Sequence, residues 1–359
     1  SFAALQALNL ADAGAELGIW EIAYNGEQFT SWSGSNPKTL SISSFTDNNG
    51  KVIGDITISA DQTSPQHYQL TSTGLAPNST KPVGSKTIKV SVFPKPLFNN
   101  AVFGADSVSL SGIALVDSYD SRLGPYSSLT AKANGDVGTN GVLSMVGTTS
   151  VKGDALVVPG GSATGVDTRI TGEIYYASEP LELDPIVLPD YFASVPTSPD
   201  LNLNHDITPL VSGNYHFEEI RLSSSAVLTI SNDTNIYISD SITLTGSAQI
   251  ITGSNVKFYI NGVANIAGQG ILNATGRPSN LQIYGLGSAT SISYSGGSNF
   301  YGTIYAPDSD VSVSGGASIF GAITGEDVSI SGTGTLHYDE SLSDNGPSQG
   351  FSIIYWQEN

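Results

Sequence analysis

The 359-residue chain carries 13 Lys and Arg against 32 Asp and Glu, a net charge of −19, yet only 13% of its residues are charged and 39% are hydrophobic. That balance excludes a disordered acidic chain, because the apolar share can bury a core. It also excludes nucleic acid and anionic lipid as electrostatic partners, since both need clusters of Lys and Arg, and the absence of Cys excludes disulfide frameworks and thiolate metal sites.

Residues 2–24, FAALQALNLADAGAELGIWEIAY, predict one long helix. Leu10, Ala13, Leu17, Trp20 and Tyr24 follow helical spacing, with Leu8, Ala15, Ile19 and Ile22 as an adjacent stripe and Asn9, Asp12 and Glu16 on a polar face. Asn25-Gly26 supplies a stop. Gly14 and Gly18 form a small-xxx-small pair, which permits close helix–helix approach; the alternative is a plain amphipathic helix packed on its own sheet. No run reaches the roughly 18 apolar residues of a membrane helix. A membrane link is therefore expected only through a segment missing from the N-terminus.

From residue 26 to 97 the period switches to two. Thr39–Ser43, Asp55–Ser59, His67–Ser72 and Thr87–Val92 alternate, separated by Asn48-Asn49-Gly50, Ser64-Pro65 and Pro77-Asn78-Ser79. This predicts a small antiparallel sheet of about four strands with one apolar face for the helix to cover.

Residues 98–340 change texture again, with short alternating runs ending in Ser-Gly or Thr-Gly. The stretches 300–318 and 319–337 align, with an offset of 19 residues at Gly302 and Gly321 and 17 at Gly315 and Gly332. A drifting period near 20 with glycine corners predicts the stacked coils of a parallel β-helix. A Pro-rich segment at about 178–209 interrupts it and is read as an extended strap along the outside. Residues 341–359 end in Phe351-Ser352-Ile353-Ile354-Tyr355-Trp356, a strand expected to dock on another unit. The predicted fold class is mainly β: an N-terminal helix with a small antiparallel sheet, followed by a parallel β-helix.

Several blocks resemble type IV pilin-like proteins of the PilX type. The helix QALNLADAGAELGIWEI resembles the later part of the N-terminal helix of that class, and His67–Gly74 with Thr87–Val90 resembles its short sheet. Asp117-Ser118-Tyr119-Asp120-Ser121, Gly138-Thr139-Asn140-Gly141, Ile304-Tyr305-Ala306-Pro307 and His337-Tyr338-Asp339-Glu340 resemble the β-helical C-terminal domain attached to such proteins. The resemblance covers most of the chain, but the prepilin cleavage motif and the apolar half of the helix are absent. It implies a non-enzymatic structural or adhesive subunit of a type IV pilus-like filament at the cell surface. Its partners would be other pilin-like subunits or further copies of itself, with a surface glycan or host-cell ligand for the head. Leu10, Ala13, Gly14, Leu17, Gly18 and Trp20 would form the assembly helix.

Catalytic and metal chemistry finds little purchase. His67, His205, His216 and His337 stand in no metal spacing and are read as ordinary surface or strap residues. Asp117 and Asp120 beside Arg122 form the best acidic cluster for the alternative of a secreted carbohydrate-active β-helix enzyme, which needs two carboxylates facing across a groove. A third reading is a self-stacking β-helix scaffold. No cofactor is expected; Asp308 and Asp310 are the candidate Ca²⁺ ligands, and Asn78, Asn232 and Asn273 open glycosylation sequons.

Overall fold

A computed structural model describes residues 2–23, 29, 31–64, 67–77, 84–158, 160–166, 168–287, 290–346 and 348–358. The predicted stop at Asn25-Gly26 lies outside them. The chain forms two compact units, residues 1–95 with 348–359, and residues 96–347.

In the first unit the helix Phe2–Ala23 lies on an antiparallel sheet of Lys38–Thr46, Val52–Ser64, His67–Leu75 and Ser85–Pro96. Alternation puts Ile56, Ile58, Leu70, Ile88 and Val90 on the covered face, all buried. The helix does not use the predicted stripe as a unit. Its sheet-facing side is the small-residue side: Ala7, Leu10, Ala11, Gly14, Ala15, Gly18 and Ile22 are buried, while Ala13 and Trp20 point away. The cause is how closely the helix approaches. A Cβ added at Gly14 would strike Ser72 and Ile56, and one at Gly18 would press on Leu70 at 3.0 Å. Each glycine costs a helix interior about 1 kcal/mol relative to Ala, and here that cost is exchanged for helix-on-sheet contact. The C-terminal strand Ser348–Glu358 is the fifth member of this sheet, at the edge of Ser85–Pro96. Among the described residues no helix is long and apolar enough to cross a membrane.

The second unit is a parallel β-helix with three strand positions per turn. The register found between the two aligned stretches is the predicted one: Gly302 faces Gly321 and Val311 faces Val328. Inward side chains stack in columns. One runs Ile236, Phe258, Ile283, Ile304, Ile323, Val102, Val137 and Ala155, each paired with the next and all buried. At one corner three Ser-Gly strand ends and Val146-Gly147 put Gly315, Gly332, Gly112 and Gly147 on top of one another, with φ of +98°, +91°, +82° and +87°. A side chain at any of them would meet a strained backbone, and at Gly332, Gly112 and Gly147 also the main chain of the neighbouring coil.

That first column also reveals that coil order is not chain order. Ile323 is followed by Val102, so the strand Ile319–Ile330 stacks against Val102–Gly112, the first strand of the unit. Thr335–Asp339 likewise pairs with Leu115–Tyr119. The first-made coil therefore sits mid-stack. The chain builds outward from it through Val137–Thr139 and Ala155–Val157 to Ile174–Tyr176. It then crosses to the opposite end, restarts at Thr197–Ser198, and builds back.

The crossing segment is the predicted strap, and it is shorter than expected. Residues 181–192 lie along the outer face, whereas Thr197–Ser198, Leu201–Leu203 and Ile207–Leu210 are strands of an end coil. Pro209 fits within a strand because Ile207–Leu210 is the edge of its sheet and one side needs no hydrogen bonds. Under the strap runs an outward ladder of His216, Tyr237, Tyr259, Tyr284 and Tyr305, each in register with the next. Phe192 packs on Tyr237 and Tyr259 at 5.8 and 5.6 Å, the Tyr305 hydroxyl donates to the Asp184 carbonyl at 3.0 Å, and Leu181 exchanges two hydrogen bonds with the Asn140 amide.

Candidate functional site

The polar side chains of the β-helix converge where its last coil meets its first. Asp117 and His337 sit opposite one another in the pairing of Leu115–Tyr119 with Thr335–Asp339. Their Oδ1 and Nδ1 atoms are 2.5 Å apart, and the residues are 1% and 4% exposed. The Tyr126 hydroxyl donates to the other Asp117 oxygen at 2.8 Å, and its ring lies 3.7 Å from the His337 ring. Nε2 of His337 is 2.9 Å from the Thr335 hydroxyl, which donates to Ser318 at 2.7 Å. Phe320 packs on the imidazole as well, at 4.8 Å, and on the Tyr126 ring at 5.5 Å. Burial and the Asp117 carboxyl together push the Tyr126 phenol well above its ordinary value.

A second layer clasps the loop after Tyr119 to residues 339–344. Asp339 Oδ1 accepts from the backbone N–H groups of Ser121 and Ser341 at 3.0 and 3.1 Å. Glu340 accepts from Ser118, Asn134 and Lys132 at 2.9, 2.8 and 2.5 Å. Arg122 holds Asp120 through two nitrogens, at 2.8 and 2.7 Å, and reaches Asp344 at 2.9 Å. Nearby, Ser107 donates to Asp327 across the same seam at 2.5 Å. The Tyr119 hydroxyl and Asp339 Oδ2 are buried without a hydrogen-bond partner among the described residues; desolvation and the Asp339 charge raise the tyrosine strongly.

Burial works to raise the Glu340 carboxyl, but the hydrogen bonds from Lys132, Ser118 and Asn134 outweigh it and hold it below the usual carboxylate range. The Arg122 hydrogen bond lowers Asp120 in the same direction. A carboxyl whose folded pKa lies below its unfolded value stabilises fully above the unfolded value, about 4.3 for Glu. That contribution is lost as the pH falls through the folded one. The unfolding temperature should therefore drop between about pH 5 and pH 3, and Glu340→Gln should flatten that slope in scanning calorimetry. An unchanged slope would show that the clasp does not couple to folding.

The residues singled out from sequence distribute as follows. Asp117 and Asp120 face different partners, His337 and Arg122, so they do not form an opposed carboxylate pair. His337 is corrected from a surface residue to a buried one. No local pattern marks the pair, because its partner lies 220 positions away. Asp308 and Asp310 are exposed; with Asp106 and Asp327 they add to the effect of burial in raising Glu326. Among the described residues no three His, Asp or Glu side chains are grouped to hold a metal. Asn232 is exposed, and its side-chain oxygen accepts from the Ser254 N–H at 2.8 Å. Asn273 is corrected: it is 2% exposed, and its amide nitrogen donates to the Arg277 and Tyr301 carbonyls at 2.8 and 2.9 Å, which makes it a bracket between coils rather than a glycan acceptor. Asn78 lies outside the described residues. Of the six helix residues, Leu10, Gly14 and Gly18 are buried against the sheet, Leu17 is half-buried, and Ala13 and Trp20 are exposed.

Solved structures that align with this chain include the following three. The competence-associated pilin ComZ from Thermus thermophilus aligns over 99% of this chain and 97% of its own, at 12% identity and a TM-score of 0.29. An ice-binding protein from the Antarctic ascomycete Antarctomyces psychrotrophicus aligns over 68% and 96%, at 15% identity and 0.31. A glycosylated ice-binding protein, LeIBP, from an Arctic yeast aligns over 67% and 90%, at 14% identity and 0.27. No curated protein sequence matches the chain. Residues 153–345, more than half of the chain and most of its β-helix, match the family described as Domain of unknown function (DUF7305), and the chain belongs to that family.

Proposed function

We propose that the protein is a non-enzymatic structural or adhesive subunit of a pilus-like filament at the cell surface, with the β-helical unit as its displayed head. One observation carries this reading, the outer face of the helix Phe2–Ala23. Phe2, Leu5, Ala13 and Trp20 fall within about 60° of one line at 100° per residue. They point away from the sheet, with Phe2 82%, Leu5 57% and Trp20 49% exposed. Asn9 and Glu16 are exposed on the same face, so it presents large apolar side chains among polar ones, and with the other side of the helix already packed it is available for a neighbouring helix. The neighbour would be a further pilin-like subunit or a second copy. The seam chemistry supports the non-enzymatic part of the reading, since Asp117, Asp120, Asp339 and Glu340 each accept structural hydrogen bonds within or across the coil junction.

Replacing Phe2, Leu5 and Trp20 together by Ser tests the proposal. The side chains are exposed, so the unfolding temperature should stay within a few degrees of the parent. Incorporation into surface filaments, measured by immunogold labelling in the producing cell, should be lost. Normal incorporation of the triple variant would overturn the assembly reading.

A further inference from the structure

Beside the clasp the β-helical unit has a concave feature lined by Ser121, Arg122, Arg277, Ser279 and Ser341, with a volume of about 310 Å³. Its composition runs against that of the protein. The chain has four Arg in all and a net charge of −19, yet two of the four converge here with three serine side chains.

The two arginines are held differently. Arg122 is fixed by Asp120 and Asp344, so its charge is balanced within the protein. Arg277 is anchored only through its main chain: its N–H donates to the Thr275 hydroxyl at 3.2 Å, and its carbonyl accepts from Asn273 at 2.8 Å and from the Asn280 N–H at 3.0 Å. Its guanidinium makes no hydrogen bond or ion pair among the described residues. The pocket floor is firm, because the N–H groups of Ser121 and Ser341 are both bound to Asp339. Their hydroxyls, 3.2 Å apart, flank the cavity.

We infer that this pocket binds a single carboxylated sugar unit, with Arg277 taking the carboxylate and the serine hydroxyls taking ring hydroxyls. A free guanidinium presents paired N–H donors that match a carboxylate edge to edge. Only one positive charge is uncompensated, and Asp120, Asp339 and Asp344 surround the site, so a monoanion is accommodated where a doubly charged phosphate is repelled. The volume lies at the lower end for small-molecule pockets, which suits one sugar ring rather than a long chain segment. The inference deepens the display role proposed above but does not depend on assembly.

Binding to the soluble full chain is the test, using oligomers of glucuronate, with oligomers of glucose and inorganic phosphate as the other arms, by isothermal titration at low salt. Glucuronate oligomers should bind saturably and the two other probes should not. Arg277→Ala should weaken binding roughly ten- to a hundredfold, the loss of one charge-assisted pair, with an unchanged unfolding temperature. Arg277→Lys should recover part of it, since a lysine keeps the charge without the fork. Absence of saturable glucuronate binding, equal binding of phosphate or glucose oligomers, or indifference to Arg277→Ala would each overturn the inference. Filament incorporation of Arg277→Ala should be normal, which separates this result from a failure of the assembly reading.

Discussion

His337→Ala should lower the stability of the β-helical unit by about 3–5 kcal/mol, the range for removing one partner of a buried pair. The imidazole is the partner of an Asp117 oxygen at 2.5 Å, and Tyr126 and Phe320 pack around it. Its removal leaves a carboxyl group that is 1% exposed with a hydrogen bond missing and opens a cavity at the coil junction. Thr335→Val serves as the reference, because it removes a half-exposed hydroxyl from the same chain of hydrogen bonds and should cost about 1 kcal/mol. Chemical denaturation followed by tyrosine fluorescence would compare the two. A His337→Ala loss no larger than that of Thr335→Val would show that the pair does not brace the seam.

Phe192→Ala carries the second large effect. This side chain is 4% exposed and is the strap's main apolar anchor on the tyrosine ladder. Truncating a buried Phe costs about 3–5 kcal/mol, and most of that loss should be local, because the other apolar side chains of the strap that pack on the core, Ile186, Leu188 and Val195, are only partly buried. The expected signature is rapid proteolytic cutting between residues 177 and 196 in a unit whose coils remain folded. Equal protection of parent and variant against a broad-specificity protease would sink the anchoring role.

The strap also shows why its composition was readable. It spans ten successive coil pairings on one face, from Ile174–Tyr176 back to Thr197–Ser198. At about 4.8 Å each that is ~48 Å. Twenty residues of α-helix would reach only ~30 Å, so the segment must be extended, and Pro180, Pro185, Pro189 and Pro196 keep it so. Proline therefore announced an extended path, but not its end, since Pro199 and Pro209 belong to an edge coil where proline is equally at home.

The same division runs through the rest of the chain. Corner glycines such as Gly315 and Gly332 are local requirements, so the coil repeat could be read at its true offsets of 19 and 17 residues. Which coil lies on which is not local. The contact of Ile323 with Val102 depends on two apolar strands that match any of their neighbours equally well. The Asp117–His337 pair was hidden for the same reason, because neither residue carries a motif and only the coil order brings them together. On the helix, periodicity found apolar positions but could not rank the sides. The choice went to the small residues because Gly14 and Gly18 let the backbone approach the sheet.

The non-sequential stacking has a bearing on synthesis. A chain emerging from the ribosome makes Val102–Gly112 early, with one edge ready for the coils that follow it and the other open until Ile319–Ile330 arrives. The antiparallel sheet waits even longer, because its fifth strand is Ser348–Glu358. Both units are thus completed by the same last forty or so residues, and neither can close progressively from its beginning. Pairing over such sequence distances is slow, and an open strand edge is a template for the wrong partner. The buried polar clasp at the seam acts at that final step as a check on register. A slipped coil would strand Asp117 and Asp339 without the partners they have in the native register, so a mis-stacked product carries a stability penalty.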